Sequence, residues 1–432
     1  MTNPTNPLDL PGAKPTLPVS TAKEPFSNDF IAEARKYWSN FHMQVGGDHA
    51  LYYTSHLNEF MPIAVAPATG EVRLLQRELV RSVGDTTFVR GDGSTSIPLN
   101  DYVTNGKQRL QAVMILQGGK VVYEAYPGLQ PSQPHFWASV SKTTVGLLAT
   151  MLEADGVIDT SKPIPTYAKQ LAGTEWDKVS VLNGLNMSAG LDIAETGEAA
   201  MNPNSVFQRF LAADFGVPNH EGVVENTVDV LRDAKPLASE VPGQYARYSS
   251  LITKTLVWVI EGATGGAFID LFHKRVWSKI GTRNSFMICM GSDGSAGAYG
   301  LNISLLEDLA RYALIFTPSR KVVSDTEVVP PEVLKTMQTS GSKEAYAKGD
   351  FTEHDWVKAS FAKQGMPDLN SRQWDAVWDD GTLFKHGNLF QGIYVDPLRD
   401  VVGVYYSTCP VYLDPDILMG YIRQVAKNLA GK

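Results

Sequence analysis

The chain has 432 residues, of which 43% are hydrophobic and 19% charged, and this composition describes a globular protein long enough for one large or several ordinary domains. A formal net charge of −8, without a long run of lysine and arginine, argues against nucleic acid or an anionic membrane as a partner. The two cysteines, Cys289 and Cys409, are too few for a disulfide framework. Because we find no signal-peptide pattern and no stretch near the roughly 20 apolar residues of a membrane span, we expect a cytoplasmic protein.

Two hairpins bracket a helical middle in the predicted secondary structure. The first pairs residues 112–116 with 121–125 around a Gly-Gly turn, and the second pairs 391–396 with 401–407. Between them, from Ser139 onward, apolar residues recur mainly at helical spacing. The pattern predicts an α/β (α+β) fold, an antiparallel sheet flanked by helices with an inserted, mainly helical domain. The expected divisions are an extended leader, an α/β domain built from two segments and a helical domain between them: residues 1–26, 27–140 with 300–432, and 141–299.

A serine and a lysine three residues apart, Ser139 and Lys142, stand at the start of an apolar helix. Side chains at this spacing share one face of a helix, so the lysine amine can lie beside the serine hydroxyl. A lysine whose pKa is lowered by desolvation can act as a general base, which makes Ser139 a candidate nucleophile. The same S-x-x-K spacing occurs at three further places, none of which opens an apolar helix: Ser20 with Lys23, Ser340 with Lys343, and Ser360 with Lys363.

Two later groups of residues carry side chains that can assist such a serine. Tyr248 and Ser250 stand before a second apolar helix, and a tyrosine on a turn there can relay a proton if nearby cations lower its pKa. The run Lys385-His386-Gly387 leads into the second hairpin, where the lysine supplies positive charge and the glycine leaves room for substrate near the backbone. Taken singly, each group is also explained by ordinary packing at the start of a helix or strand.

In this order, the motifs S-x-x-K, Y-x-N/S and K/H-x-G resemble those of a β-lactamase-like family of serine hydrolases. That family includes class C β-lactamases, D-alanyl-D-alanine carboxypeptidases, family VIII esterases and 6-aminohexanoate-dimer hydrolases. The stretches 181–192 and 394–397 are similar as well, and the likeness covers roughly residues 105–425. The resemblance implies a β-lactamase/transpeptidase-like fold, with the active site in the cleft between the helical and the α/β domain.

The resemblance also implies a role for each motif residue. Ser139 would be the nucleophile that forms an acyl-enzyme, with Lys142 and Tyr248 as general base and acid. The backbone N–H groups of Ser139 and Asn388 would form the oxyanion hole. The substrate and oxyanion positions would be Lys385, His386, Gly387, Asn388 and Ser250. No cofactor and no metal is implied.

The expected function is a serine hydrolase whose partner is a small-molecule ester or amide. Ser250 stands where β-lactamases usually have asparagine, which weakens the case for efficient lactam hydrolysis. A β-lactamase or D-amino-acid peptidase, an acyltransferase on the same fold and a non-catalytic binding homologue remain alternatives. A hydrolase built on Ser188 and His386 is another, whereas no H-E-x-x-H run supports a metal enzyme. Segments 195–226 and 340–378 are the expected walls of the substrate pocket.

Overall fold

The computed structural model describes residues 9–410 and 415–430. Residues 1–8 of the expected leader lie outside the described residues, as do 411–414 and 431–432 of the expected α/β domain.

The strands, in chain order, are β1 (Ile63–Ala66), β2 (Leu110–Gln117), β3 (Lys120–Ala125), β4 (His135–Phe136), β5 (Phe286–Cys289), β6 (Asn302–Ser304), β7 (Leu369–Ser371), β8 (Trp374–Val377), β9 (Leu383–Gly387), β10 (Gln391–Asp396) and β11 (Val401–Ser407). The helices are α1 (Asn28–Tyr37), α2 (Asn40–Val45), α3 (Ala50–Tyr53), α4 (Arg81–Gly84), α5 (Leu99–Thr104), α6 (Lys142–Ala154), α7 (Val181–Leu185), α8 (Gly197–Met201), α9 (Val206–Asp214), α10 (Thr227–Arg232), α11 (Ser250–Thr264), α12 (Phe268–Arg275), α13 (Leu306–Leu314), α14 (Pro331–Thr339), α15 (Lys343–Lys348), α16 (Asp355–Phe361) and α17 (Leu418–Ala430).

Seven antiparallel strands form the main sheet in the order β3-β2-β11-β10-β9-β8-β7. Both predicted hairpins are confirmed, because β2 pairs with β3 and β10 pairs with β11. The turn of the first hairpin uses Gly118 and Gly119, both at positive φ, as a two-residue type I′ turn requires. The pairing of β2 with β11 places the two hairpins side by side, so the sheet joins early and late parts of the chain.

Both faces of the main sheet are buried. On β2, Met114 and Leu116 belong to one apolar cluster, which also contains residues of α6 and α13. Their neighbours Val113 and Ile115 belong to a second cluster on the opposite face, which α17 covers. Because neither face meets water, the central strands are apolar at successive positions instead of alternate ones. The predicted antiparallel sheet flanked by helices is confirmed.

A second sheet of four short strands, in the order β1-β5-β6-β4, fixes the chain just before Ser139. Strand β4 ends at Phe136 and pairs with β6. Strand β5 lies inside the segment expected to be mainly helical, and it pairs with β1 and β6 from the segments on either side. One sheet therefore draws on all three parts of the chain, and the expected division into domains stays a prediction.

The described part of the expected leader packs on the body of the protein. The Asp48 carboxylate accepts the backbone N–H groups of Thr16 and Leu17 at 3.1 and 2.9 Å. Arg109 donates to the Leu17 carbonyl at 2.9 Å and lies 3.3 Å from Asp48. Val19 is buried as well. These contacts hold residues 16–19 against the start of β2.

Helices α6 and α11, at which the first two motifs lie, are buried over most of their length and contact each other. Helices that are apolar all round belong in the interior of a protein. Within residues 9–410 and 415–430, no single helix is long and apolar enough to cross a membrane. Helix α11 and the following segment Phe268–Lys279 reach the required length and apolar character only when they are taken together, and the chain bends by 76° between them.

Gly146, near the middle of α6, lets the turn between β7 and β8 lie against the site helix. A Cβ at this position would lie 1.9 Å from the carbonyl oxygen of Arg372. We therefore expect Gly146→Ala to lower the free energy of unfolding by about 1–3 kcal/mol, the usual cost of overpacking, in urea titrations followed by tryptophan fluorescence. Gly197→Ala is the matched control, since nothing lies within 4 Å of its added Cβ. A loss no larger than that of the control would contradict the close approach.

Candidate active site

Ser139 lies on a single turn of 3₁₀ helix, Ala138–Ser141, that runs directly into α6. The turn is anchored through Trp137, whose indole Nε1 donates to Ser304 Oγ at 2.8 Å. Ala138 has a φ of 44°, in the left-handed region that residues with a side chain seldom adopt, and such backbone strain is common at functional turns. Ser139 is half-buried and lines a cavity. The turn thus presents its hydroxyl at the N-terminal end of a buried helix.

The amine of Lys142 is fully buried and lies among three oxygen atoms. Its Nζ is 3.0 Å from Ser139 Oγ, 2.9 Å from Ser250 Oγ and 2.6 Å from the Tyr299 carbonyl. Burial lowers the pKa of Lys142 to about 7, because the charged form is the one that loses most on leaving water. A large fraction of the amine is therefore neutral near pH 7, and it can accept the proton of the Ser139 hydroxyl.

Tyr248 stands over the same group of atoms, with its hydroxyl 3.3 Å from Lys385 Nζ. Burial raises the pKa of Tyr248 well above 10, the carboxylates of Asp375 and Glu195 raise it further, and a hydrogen bond to Ser139 acts in the opposite direction. A proton relay through a tyrosinate needs a lowered pKa, and the surroundings shift the pKa the other way. The phenol therefore stays protonated, and it can donate a hydrogen bond or a proton.

Lys385 and His386, adjacent on β9, reach different partners. Lys385 is fully buried and forms an ion pair with Asp375 on the neighbouring strand β8. The other oxygen of Asp375 accepts the backbone N–H of His386 at 3.0 Å. The His386 ring stacks on Trp356 with centroids 4.9 Å apart, and its Nε2 lies 3.4 Å from Asp416 Oδ2. The lysine thus lies beside the tyrosine hydroxyl, while the histidine lies in the cavity wall.

Gly387, the last residue of the third motif, packs against the turn that carries Ser139. A Cβ on Gly387 would lie 3.0 Å from the Trp137 carbonyl and 3.1 Å from Ala138 Cβ, so the missing side chain lets β9 lie against this turn. The expected role of this glycine, to leave room for substrate near the backbone, stays a prediction. Asn388 lines the cavity, and its Nδ2 donates to the Gln44 carbonyl at 3.0 Å. The oxyanion role of its backbone N–H stays a prediction.

Three carboxylates that the sequence did not single out hold these groups in place. Glu195 donates its backbone N–H to the Tyr248 carbonyl at 2.9 Å, and its carboxylate accepts the N–H of Ser250. Asp350 Oδ1 accepts the Tyr248 N–H at 3.3 Å. Asp375 neutralises the lysine of the third motif. All three fall in segments expected to line the pocket, but no local pattern marks Asp375 itself, which strand pairing alone brings beside Lys385.

The rival serines and lysines have other partners. Ser188 Oγ donates to the Asn183 carbonyl at 3.2 Å, so its hydroxyl is engaged away from His386. The lysines or serines of the other three S-x-x-K pairs bond elsewhere: Lys23 to the Tyr126 carbonyl, Lys343 to Asp368, and Ser360 to the Asp416 carbonyl. Across the described ranges, no cluster of three or more His, Cys, Asp or Glu side chains is arranged to hold a metal ion.

The cavity beside Ser139 has a volume of about 480 Å³, and both expected wall segments line it. From residues 195–226, mainly apolar side chains face the space: Ala200 of α8, Phe207 and Leu211 of α9, and Phe215 directly after α9. From residues 340–378, aromatic and polar side chains face it: Phe351, His354, Asp355, Trp356 and Asp375. Met43 and Gln44, on α2, close a further side. Where segment 195–226 meets the cavity its side chains are therefore chiefly apolar, with Glu195 as the charged exception.

A buried ion-pair network supports the site from behind. Lys254, one turn into α11, is fully buried and lies 2.7 Å from Asp214 and 2.9 Å from Asp293. Asp214 also accepts the hydroxyl of Tyr299 at 2.7 Å. Since the Tyr299 carbonyl is an acceptor for the site lysine, the network ties the end of α9, the start of α11 and this carbonyl together.

Sequence comparison finds relatives over most of the chain. A sequence model of the family described as Beta-lactamase matches residues 100–426, well over half of the chain. The 6-aminohexanoate-dimer hydrolase of Paenarthrobacter ureafaciens is 27% identical over 316 residues, which are 72% of this chain and 76% of that protein.

Solved structures show the same fold. A protein from Bacillus anthracis, provisionally named a 6-aminohexanoate-dimer hydrolase, superposes with a TM-score of 0.68 at 20% identity, over 90% of this chain and 93% of its own. A β-lactamase/D-alanine carboxypeptidase from Yersinia pestis superposes with a TM-score of 0.54 at 16% identity, over 76% of this chain and 95% of its own. The β-lactamase/transpeptidase-like fold implied by the motifs is confirmed.

We expect Lys254→Met to lower the free energy of unfolding by about 3–5 kcal/mol, because it leaves two buried carboxylates without their cation. Lys162→Met is the control, since Lys162 and its partner Asp159 are exposed and such pairs contribute about 1 kcal/mol at most. Urea titrations of both variants, followed by circular dichroism, give the comparison. A loss for Lys254→Met as small as that of the control would contradict the network.

Proposed function

The chain belongs to the β-lactamase family of serine hydrolases, and we propose that it cleaves a small-molecule ester or amide through an acyl-enzyme on Ser139. One observation carries the proposal. The Ser139 hydroxyl lies 3.0 Å from a buried lysine amine whose pKa is lowered to about 7. A serine attacks a carbonyl only when a neighbouring base accepts its proton, and this short distance and lowered pKa support Lys142 as that base.

In the acylation step, neutral Lys142 accepts the hydroxyl proton of Ser139 as Oγ attacks the carbonyl carbon of the substrate. The backbone N–H groups of Ser139 and Asn388 are the proposed donors to the oxyanion that develops. The Tyr248 phenol, held beside Lys385, gives its proton to the leaving oxygen or nitrogen and is reprotonated from Lys142. The raised pKa of Tyr248 supports this donor role, because the phenol is protonated when the leaving group departs.

Deacylation uses the same groups in reverse. A water molecule attacks the acyl carbonyl, and neutral Lys142 accepts its proton and passes it on to Ser139 Oγ. Ser139 then leaves as the hydroxyl. Ser250 accepts a hydrogen bond from Lys142 at 2.9 Å, and this contact helps to keep the lysine amine beside Ser139 Oγ in both steps.

The proposed substrate is an unstrained ester or amide with an apolar portion. The apolar side chains of α8 and α9 offer a surface for such a portion, and the relative from Paenarthrobacter ureafaciens is by name a hydrolase of a 6-aminohexanoate dimer. Ser250 in place of the asparagine usual in β-lactamases supports this choice over lactams.

We expect Ser139→Ala to abolish hydrolysis of p-nitrophenyl butyrate and to keep the fold, because it removes only the attacking oxygen. With the unchanged protein, intact-mass spectrometry should detect a butyryl adduct that maps to Ser139. The same assay with nitrocefin tests lactam hydrolysis, and labelling by a fluorophosphonate probe tests for an activated serine. Full activity of Ser139→Ala, or an adduct on another residue, would overturn the assignment.

We expect kcat/KM for a neutral ester to rise with pH through about 7 and then to level off. The pKa of Lys142 is lowered, so the amine is protonated and inactive below that value and neutral above it. Tyr248→Phe should lower the plateau by about 10²–10⁴-fold, the usual worth of a general acid or base, and leave the inflection near pH 7. Lys142→Arg keeps a permanent charge and should lose the plateau altogether. If the inflection near pH 7 disappears in Tyr248→Phe, the titrating group is the tyrosine and not Lys142.

A further inference from the structure

The orientation of the Lys142 amine depends on a carbonyl that lies outside the three motifs. The Tyr299 carbonyl oxygen is 2.6 Å from Lys142 Nζ, closer than either serine hydroxyl. A neutral amine has two N–H donors and one lone pair, and a carbonyl oxygen can only accept. One N–H therefore goes to Tyr299. With the other N–H donated to Ser250, the lone pair is directed at the Ser139 hydroxyl, as proton transfer requires.

The backbone around this carbonyl has little regular structure of its own. Tyr299 lies between β5 and β6, outside both strands. Gly297 and Gly300 lie close to it in the sequence, and glycine gives a chain more conformational freedom than any other residue. The place of the Tyr299 carbonyl therefore depends on how the tyrosine side chain is held.

That side chain is held by a carboxylate at the end of α9. The buried Tyr299 hydroxyl donates to Asp214 Oδ2 at 2.7 Å, and the ring lies edge-on to Phe210 with centroids 5.3 Å apart. Burial and the Asp214 charge raise the pKa of Tyr299 well above 10, so its hydroxyl is a donor throughout the neutral pH range. Asp214 Oδ1 is in turn 2.7 Å from Lys254, which stands one turn after Ser250 on α11.

We propose that Asp214 and Tyr299 are positioning residues for the reaction at Ser139. Their hydrogen bond holds the Tyr299 carbonyl against Lys142 and so directs the lone pair of the neutral amine at the serine hydroxyl. This role rests on the proposed function, since it concerns the base of that reaction. Neither residue belongs to the three motifs, and Asp214 acts on the base only through Tyr299.

Other groups that face Lys142 stay in place when the Tyr299 hydroxyl is removed. Two carboxylates raise the pKa of Lys142, one lysine lowers it, and one phenol ring lies with its centroid 5.0 Å from the amine: Glu195, Asp375, Lys385 and Tyr248. Tyr299→Phe changes none of these side chains. A change in the basicity of Lys142 in this variant therefore reports the contact with the Tyr299 carbonyl.

Tyr299→Phe tests the proposal through the pH profile of p-nitrophenyl butyrate hydrolysis. A carbonyl acceptor stabilises the charged amine, so a looser carbonyl should move the inflection of kcat/KM down by about half to one pH unit. The poorer orientation of the lone pair should lower the plateau about tenfold.

Tyr421→Phe is the matched control for this variant. It removes a hydroxyl that donates to the Ile97 carbonyl at 2.7 Å, on α17 and therefore on the opposite face of the main sheet. We expect this control to keep the inflection of the unchanged protein. Equal inflections in all three proteins, or equal shifts in the two variants, would overturn the proposal.

Asp214→Asn separates the hydrogen bond from the charge. The amide oxygen still accepts the Tyr299 hydroxyl, but a hydrogen bond to a neutral acceptor is weaker than one to a carboxylate. The inflection should therefore move in the same direction as in Tyr299→Phe and by less. A shift as large as that of Tyr299→Phe would show that the charge of Asp214 acts on Lys142, which contradicts the proposal. Near-UV circular dichroism checks that both variants keep the fold.

A titration without substrate distinguishes this proposal from the proposed function. In protein labelled with ¹³C at the lysine ε-carbon, the NMR signal of Lys142 is identified by its loss in Lys142→Arg, and its shift with pH gives the pKa. A lower pKa in Tyr299→Phe with no ester hydrolysed by the unchanged protein would contradict the hydrolase mechanism and support the positioning role. Hydrolysis that requires Ser139, with the same Lys142 pKa in both proteins, would support the mechanism and overturn the positioning role.

Discussion

The burial of one lysine amine is the constraint on which the candidate site depends. Lys142 Nζ takes its oxygen partners from three separate parts of the chain: Ser139 on the preceding turn, Ser250 at the start of α11 and Tyr299 before β6. Removing an ammonium from water costs free energy, and these acceptors offset only part of that cost. The remainder appears as a lowered pKa, so the same burial that weakens the charged form supplies a neutral base.

Around this amine, each reacting group is fixed by a partner that does not itself react. Asp375 forms an ion pair with Lys385. Asp350 and Glu195 hydrogen-bond to the backbone of Tyr248. The Lys254 network lies behind Tyr299. Most of these partners are carboxylates. Each of them is paired with a cation or accepts a backbone N–H group, so the reacting groups are held without a buried carboxylate that lacks a partner.

The sequence predicts best what depends on nearby residues. The 3.0 Å approach of Lys142 to Ser139 follows from a spacing of three, and the first hairpin follows from Gly118 and Gly119. Asp375 could not be found in this way, because it meets the third-motif lysine only through the register of β8 and β9. The sequence also could not predict that the pKa of Tyr248 is raised, because desolvation depends on how the whole chain covers the ring.

Part of the cavity lies outside the stretch that matches the family. Met43 and Gln44 on α2 line it, and the Gln44 carbonyl accepts the side-chain amide of Asn388, whereas the family match begins at residue 100. A fragment cut to residues 100–426 would keep all three motifs but lose this wall and the anchor of Asn388. Access to the serine can therefore be altered from the N-terminal side by substitutions that leave all three motifs unchanged.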